Sequence, residues 1–346
     1  MTPLDWVLLA ARVIAPVLVV LAVIPLVVWV ERRGAGLIQD RPGPNRVGPY
    51  GLLQAPVDVL KMFAKEDIIP SGADRFLFIL APFIAVFSAA TTFAVLPYGS
   101  TLTIAGRTLR LVGADVSIGV LYIFALTSLS VYGIVLAGWS SNNKFSLMGG
   151  IRSGAQIISY ELAMTTAAAG VILSTGSLRL TDVVDAQSAA PWLGFLPRWN
   201  VIPQFVGFIV FFVSTFAETN RTPFDLPEAD AELVAGYHTE YSAMKFGMFY
   251  MAEYTNIIVS SALTVTLFFG GWSLPGFHPQ GLLGAILSIL VFSAKTALCV
   301  WVFIWVRWTL PRFRYDQLMR LGWKVLLPLA LANLFWVAAL VTWRVL

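Results

Sequence analysis

FLFILAPFIAVFSAATTFAVL, residues 76–96, runs for 21 positions without one charged side chain and without alternation of polar and apolar residues. A hydrocarbon core about 30 Å thick is crossed by roughly 20 apolar residues in a helix. A strand of a membrane barrel would instead alternate with period two. In lipid every backbone N–H and C=O must be satisfied internally, so this stretch reads as a transmembrane helix. Seven further windows of the same character lie at 7–30, 116–139, 154–173, 199–217, 246–269, 282–306 and 325–343. Composition agrees: of 346 residues 58% are hydrophobic and 12% charged, about half the charge of a soluble domain. The expected fold is an all-α integral membrane protein, one polytopic domain over 1–346 with a bundle of about eight transmembrane helices.

The loops between these windows are unequal. The first, third, fifth and seventh carry Arg32, Arg33, Arg41, Arg46, Lys61, Lys65, Lys144, Arg152, Arg221, Lys245, Arg307, Arg312, Arg314, Arg320 and Lys324; the others carry Arg107, Arg110, Arg179 and Arg198. Basic residues concentrate on the cytoplasmic side of membrane helices, so the segments 31–75, 140–153, 218–245 and 307–324 are expected there, with both termini outside. The first window is too long for a signal-peptide core and lacks a cleavage site, which predicts a retained helix. Net charge of +4 follows from the same bias and gives no reason to invoke nucleic acid.

Two of these segments are more than connectors. RPGPNRVGPYGLLQ (41–54) is too rich in proline and glycine for a regular helix and predicts a fixed series of turns. PVDVLKMFAK (56–65) has the pattern of a short interfacial amphipathic helix, either a surface anchor or a cavity wall. The neighbouring Arg32, Arg33, Arg41 and Arg46 are accounted for by topology alone. RTPFDLPEADAELVAGYHTEYS (221–242) is not, because it gathers five carboxylates beside the membrane. With Glu218 the acids are Asp225, Glu228, Asp230, Glu232 and Glu240. Pro227 suits a first helical turn, and the spacing predicts Asp225, Glu228 and Glu232 on one helical face. Such a face is either solvated or a set of acids that raise one another's pKa toward neutrality; Arg221 is expected to counter them.

Ionisable groups within spans are costly and mark function. Glu161 and Glu253 each fall eighth in windows that enter from the same side, so both carboxylates are expected roughly 12 Å below the inner surface. Lys295 is expected at similar depth as their charge partner, in a proton path or in a pair that only fixes helix register. His238 and His278 are the only histidines and lie in loops on opposite sides. Neither a paired-histidine haem site nor a zinc motif can be built from them, and phosphate-binding and nucleophile motifs are absent. Cys299 stands alone. The expectation is a chain with no metal, no catalytic nucleophile and no redox cofactor of its own.

ERR (31–33), RPGPNRVGPYGLLQ, KEDIIPSGADRFLF (65–78), the long stretch from Val116 to Glu161 and RTPFDLPEADAELVAGYHTEYS together resemble the quinone-site membrane subunits of respiratory complex I, over nearly the whole chain. The resemblance implies a quinone substrate, flavin and iron–sulfur clusters in partner subunits, and partners of two kinds: iron–sulfur and quinone-site subunits of a peripheral arm, and small or antiporter-like membrane subunits. It also implies contact with membrane lipids and residence in a bacterial plasma membrane, ahead of the mitochondrial inner membrane. Carried over by motif, Arg32, Arg33, Arg41, Arg46, Asp58, Glu66, Glu218, Arg221, Asp225, Glu228, Asp230, Glu232, His238 and Glu240 would form a quinone chamber and its funnel, and Glu161, Glu253 and Lys295 a proton path. Asp230 stands where the family often has glutamate, and Pro42 departs from its usual turn. The membrane subunit of an energy-converting hydrogenase and a free-standing ion transporter are the alternative functions.

Overall fold

The computed structural model describes residues 3–104, 107–188, 197–227, 230–275 and 281–343. Helices α1 (Pro3–Ile38), α2 (Gln54–Ala64) and α3 (Arg75–Phe93) precede an antiparallel hairpin of β1 (Pro97–Ile104) and β2 (Arg107–Val112). Then come α4 (Gly119–Ser140), α5 (Lys144–Thr175), α6 (Leu180–Gln187), α7 (Phe205–Glu218), the single turn α8 (Asp230–Leu233), α9 (Ala243–Phe268), α10 (Gly281–Thr309), α11 (Tyr315–Leu321) and α12 (Leu327–Thr342). A π-turn at Gly322–Leu326 joins the last two.

Every expected window holds a helix. Six described helices are long and apolar enough to cross a membrane: Arg12–Ile38, α3, α4, α5, α10 and the run Tyr315–Thr342. The chain is a multi-pass membrane protein. Its main core draws fully buried side chains from α5, α7, α9 and α11, among them Tyr160, Met164, Phe211, Leu267, Phe268 and Leu318. α3 and α4 approach closely because Gly133 has no side chain; a Cβ there would lie 2.9 Å from the Ala81 carbonyl oxygen.

Three features differ from the sequence expectations. The all-α reading omits the β1–β2 hairpin, in which Leu102 faces Leu109 and Thr103 faces Thr108. α1 continues to Ile38, so ERR is helical and the first loop opens only at Gln39. The window 199–217 is helical only from Phe205, and 14 residues rise about 21 Å, short of a bilayer core. Irregular backbone at such depth persists only where protein satisfies it. Asn200 Nδ2 donates to the Leu267 carbonyl at 2.8 Å, and Gln187 Oε1 accepts from Asn200 N–H and Gly270 N–H at 3.2 and 3.0 Å. The start of α7 is held from α12, where Asn333 Oδ1 accepts the Gly207 N–H at 3.1 Å. Asn333→Leu leaves that N–H buried without an acceptor and destabilises the fold by about 1–3 kcal/mol. Faster thermal inactivation of the assembled protein measures it; an unchanged rate contradicts it.

Candidate functional site

The C-terminal ends of α1 and α10, the first half of α9 and the segment after α7 meet at a buried charge cluster. Arg221, 3% exposed, is ion-paired with Glu253 at 2.6 Å and with Glu31 at 3.2 Å. Glu31 is also paired with Arg307 and accepts the Tyr254 hydroxyl at 2.8 Å, while the Arg221 guanidinium lies 4.5 Å from the centre of the Tyr254 ring. Two acids thus balance two guanidiniums, which is what allows them to be buried: an ion that lost its partner here would cost several kcal/mol. Arg221 was expected to counter the acids of its own loop and instead binds acids of α1 and α9. Glu31 itself was not among the expected site residues; the signal was an acid opening the ERR motif, overshadowed by the two arginines behind it.

A second set of acids lies beside this junction. Glu218, the last residue of α7, and Glu253 line one small cavity together with Asn220, Asn256 and Tyr237. Glu218 lies beside Thr127 and within electrostatic reach of Glu161, and Glu161 accepts the Ser128 hydroxyl. Glu218, expected among the loop acids, therefore stands between Glu253 and Glu161.

Lys295 does not join them. Its ammonium donates to the carbonyls of Phe269, Gly271 and Ser273 at 2.7, 3.0 and 2.7 Å and lies 4.6 Å from the Trp199 ring centre. Helical side chains lean toward the N-terminus of their own helix, and for α10 that direction leads away from Glu253, to the far end of α9. All three ammonium donors are spent there. Lys295→Met is expected to destabilise the chain, since it exposes three carbonyls to an apolar interior, while leaving the proton-to-electron ratio of any complex that assembles at the wild-type value. A reduced ratio would restore Lys295 to the proton path.

Among the described residues, Asp225 lies outside any helix and so shares no helical face with Glu232. Pro223 and Pro227 withhold backbone donors, the described helical turns of the loop are Asp230–Leu233 and the 3-10 turn Gly236–His238, and its described acids pair across to other segments. Asp225 accepts from Arg312 at 2.7 Å, Glu232 from Arg152 at 2.6 Å and Glu240 from Asn143 Nδ2 at 2.6 Å. Glu228 and the side chain of Asp230 lie outside the described residues, as does His278. His238 is buried among aromatic rings, with Tyr237 and Phe246 at 5.0 and 5.3 Å. Tyr241 stacks on Phe78 at 4.0 Å and donates to its carbonyl; burial pushes its phenol up to about 12, so it remains a donor.

In the first segment Arg32 pairs with Asp58, which also accepts from Gln54, and Arg33 lies over the rings of Trp29 and Tyr50. Arg41, Arg46 and Glu66 are exposed and are not brought to the buried cluster. Lys245 binds Asp67 at 2.7 Å, so all four segments expected on one side are tied together at one end of the bundle. Among the described residues no three His, Cys, Asp or Glu side chains are grouped to hold a metal.

An apolar crevice of about 350 Å³ runs between α1, α9 and α10, lined by Val19, Val23, Ile258, Phe292 and Thr296 among others. Val27, Val300 and Ile304 line both it and a smaller cavity that reaches Glu31, Arg221 and Arg307. The arrangement joins an apolar slot open to the bundle surface to a buried, charge-balanced end.

Residues 11–338 match the family model described as NADH dehydrogenase. The chain is 51% identical to NADH-quinone oxidoreductase subunit 8 of Rhodothermus marinus, covering 97% of each. It is 50% identical to an NADH-quinone oxidoreductase subunit of Salinibacter ruber over 90% of each. A third relative, an NADH-quinone oxidoreductase subunit of Geobacter metallireducens, is 49% identical over 96% of this chain and 97% of its own.

Proposed function

This chain belongs to the NADH dehydrogenase family of complex I membrane subunits, and from that premise we propose that it houses the quinone path of NADH-quinone oxidoreductase and starts the proton response to quinone reduction. The observation that carries the reading is the Arg221–Glu31–Glu253 junction, which borders the apolar crevice on one side and the acids Glu218 and Glu161 on the other. An isoprenoid tail fits the crevice, and the tied loops with the exposed Arg41 and Arg46 offer a docking surface for a peripheral arm that holds flavin and iron–sulfur clusters and delivers the electrons. The loop end then faces the cytoplasm of a bacterial cell, with both termini outside.

Reduction of a quinone consumes two electrons and two protons. Electrons arriving before protons place negative charge near the junction, and that charge raises the proton affinity of carboxylates beside it. Glu253, paired with Arg221, is the acid placed to respond; Glu218 and Glu161 continue the path toward antiporter-like neighbours. The names of the relatives favour this reading over a hydrogenase subunit or a free transporter.

A photoreactive quinone analogue applied to the intact complex tests it. Labelling within α1 or α10 along the crevice, competed by excess quinone, is expected. Labelling confined to other subunits, or elsewhere on this chain, overturns it.

A further inference from the structure

The cavity between Glu253 and Glu218 measures about 30 Å³, room for one or two water molecules. Asn256 lines it, and the Asn256 Oδ1 atom is buried with no hydrogen-bond partner in the protein. A buried amide oxygen left unsatisfied costs about 1–3 kcal/mol, and such atoms in folded proteins mostly turn out to be paired with protein or with ordered water. Asn256 follows Glu253 by three residues on α9, so the two side chains share one helical face. The remaining wall carries Asn220, Thr219, Ser130 and Tyr237, which makes the space polar enough to hold water, whereas the larger crevice is apolar.

We propose that this cavity is a water-binding site anchored by Asn256 Oδ1, and that its water bridges Glu253 and Glu218 as the proton carrier between them. The inference rests on the acid path proposed above and adds a positioning residue to it. Water donates one O–H to Asn256 Oδ1, which fixes its orientation. Its oxygen accepts the proton of a protonated Glu253 while its second O–H passes a proton to the Glu218 carboxylate. One O–H bond breaks as another forms on the water, so the water is regenerated and no other reactant is consumed. Asn256 touches neither quinone nor electrons; it acts through the water it orients.

The test uses the assembled complex in proteoliposomes. Asn256→Leu keeps the branched shape and the number of heavy atoms and removes the acceptor; the proton-pumping rate per electron transferred is expected to fall roughly fivefold or more, the factor that corresponds to one lost hydrogen bond. Asn256→Asp, isosteric and still an acceptor at Oδ1, is expected to restore most of it. Wild-type pumping in Asn256→Leu overturns the proposal, and so does equal loss in both variants, because Asn256→Asp keeps both the shape and the acceptor. If neither variant assembles, a high-resolution map of the wild-type complex decides: ordered water within hydrogen-bonding distance of Asn256 Oδ1 supports the site, and a cavity without density refutes it. Glu253→Gln and Glu218→Gln test the parent reading separately. If they fail to pump while Asn256→Leu pumps normally, the acid path stands and only this inference falls.

Discussion

Arg221→Met is expected to abolish NADH:quinone turnover, chiefly because little of the chain reaches an assembled complex. The guanidinium is the partner of both Glu253 and Glu31, and its removal leaves Glu253 without that countercharge in a buried site while Glu31 keeps Arg307. Breaking a buried pair from one side costs about 3–5 kcal/mol, a large share of the roughly 5–15 kcal/mol that holds a typical protein folded. Native gels of membranes, read beside NADH oxidation by an artificial acceptor, separate failed assembly from failed catalysis. Arg221→Lys keeps the charge but not the fork that spans two carboxylates, and an intermediate yield is expected. Adding Glu253→Gln to Arg221→Met removes the uncompensated charge and should recover part of the assembly. A single Arg221→Met variant that assembles and turns over normally contradicts the account of the junction.

The second large effect concerns neutralising the acids. Glu253→Gln and Glu218→Gln keep the side-chain shape but cannot carry a proton, and because Glu253→Gln also leaves Arg221 short of a countercharge, its rates are read per assembled complex on the same native gels. Proton transfer through positioned side chains contributes about 10²–10⁴-fold to the steps that need it, so proton-coupled quinone turnover is expected to drop by roughly 10²-fold in either variant. Electron delivery to an artificial acceptor, which bypasses this chain, should be unchanged. Glu161→Gln should lower proton translocation while sparing quinone binding, because Glu161 stands beyond Glu218 rather than at the junction. Normal pumping by all three variants would remove these carboxylates from the path.

Much of this arrangement is visible in the amino-acid order, and the exceptions share a cause. Uncharged runs such as residues 76–96 announce helices because lipid demands internal hydrogen bonding, and α2 follows from the spacing of Val57, Leu60 and Phe63. The placement of Glu161 and Glu253 within long helices is likewise legible, since an acid among apolar residues has no ordinary reason to be there. Partnership is what the order hides. Glu31 reads as the end of a helix because its countercharges, Arg221 and Arg307, lie 190 and 276 residues away; paired, it stays buried and α1 continues. Lys295 was matched to acids by depth alone, whereas side-chain direction sends it to the opposite end. Asp225 and Glu232 look like members of one helical face only while Arg312 and Arg152 are left out of view. The hairpin could have been found: TLTI (101–104) and TLRL (108–111) alternate with period two, a pattern easily passed over in a segment taken for a connector.

If quinone reduction drives the acid path, it must change the protonation of Glu253 and Glu218. Redox-difference infrared spectroscopy of the intact complex measures this directly, because a protonated carboxyl absorbs apart from carboxylate and amide groups. A carboxyl band that grows on quinone reduction, and is lost in both Glu218→Gln and Glu253→Gln while the artificial-acceptor activity persists, is the predicted result. A band set identical in wild type and both variants would show that these acids keep their protons fixed throughout turnover, and would contradict the account.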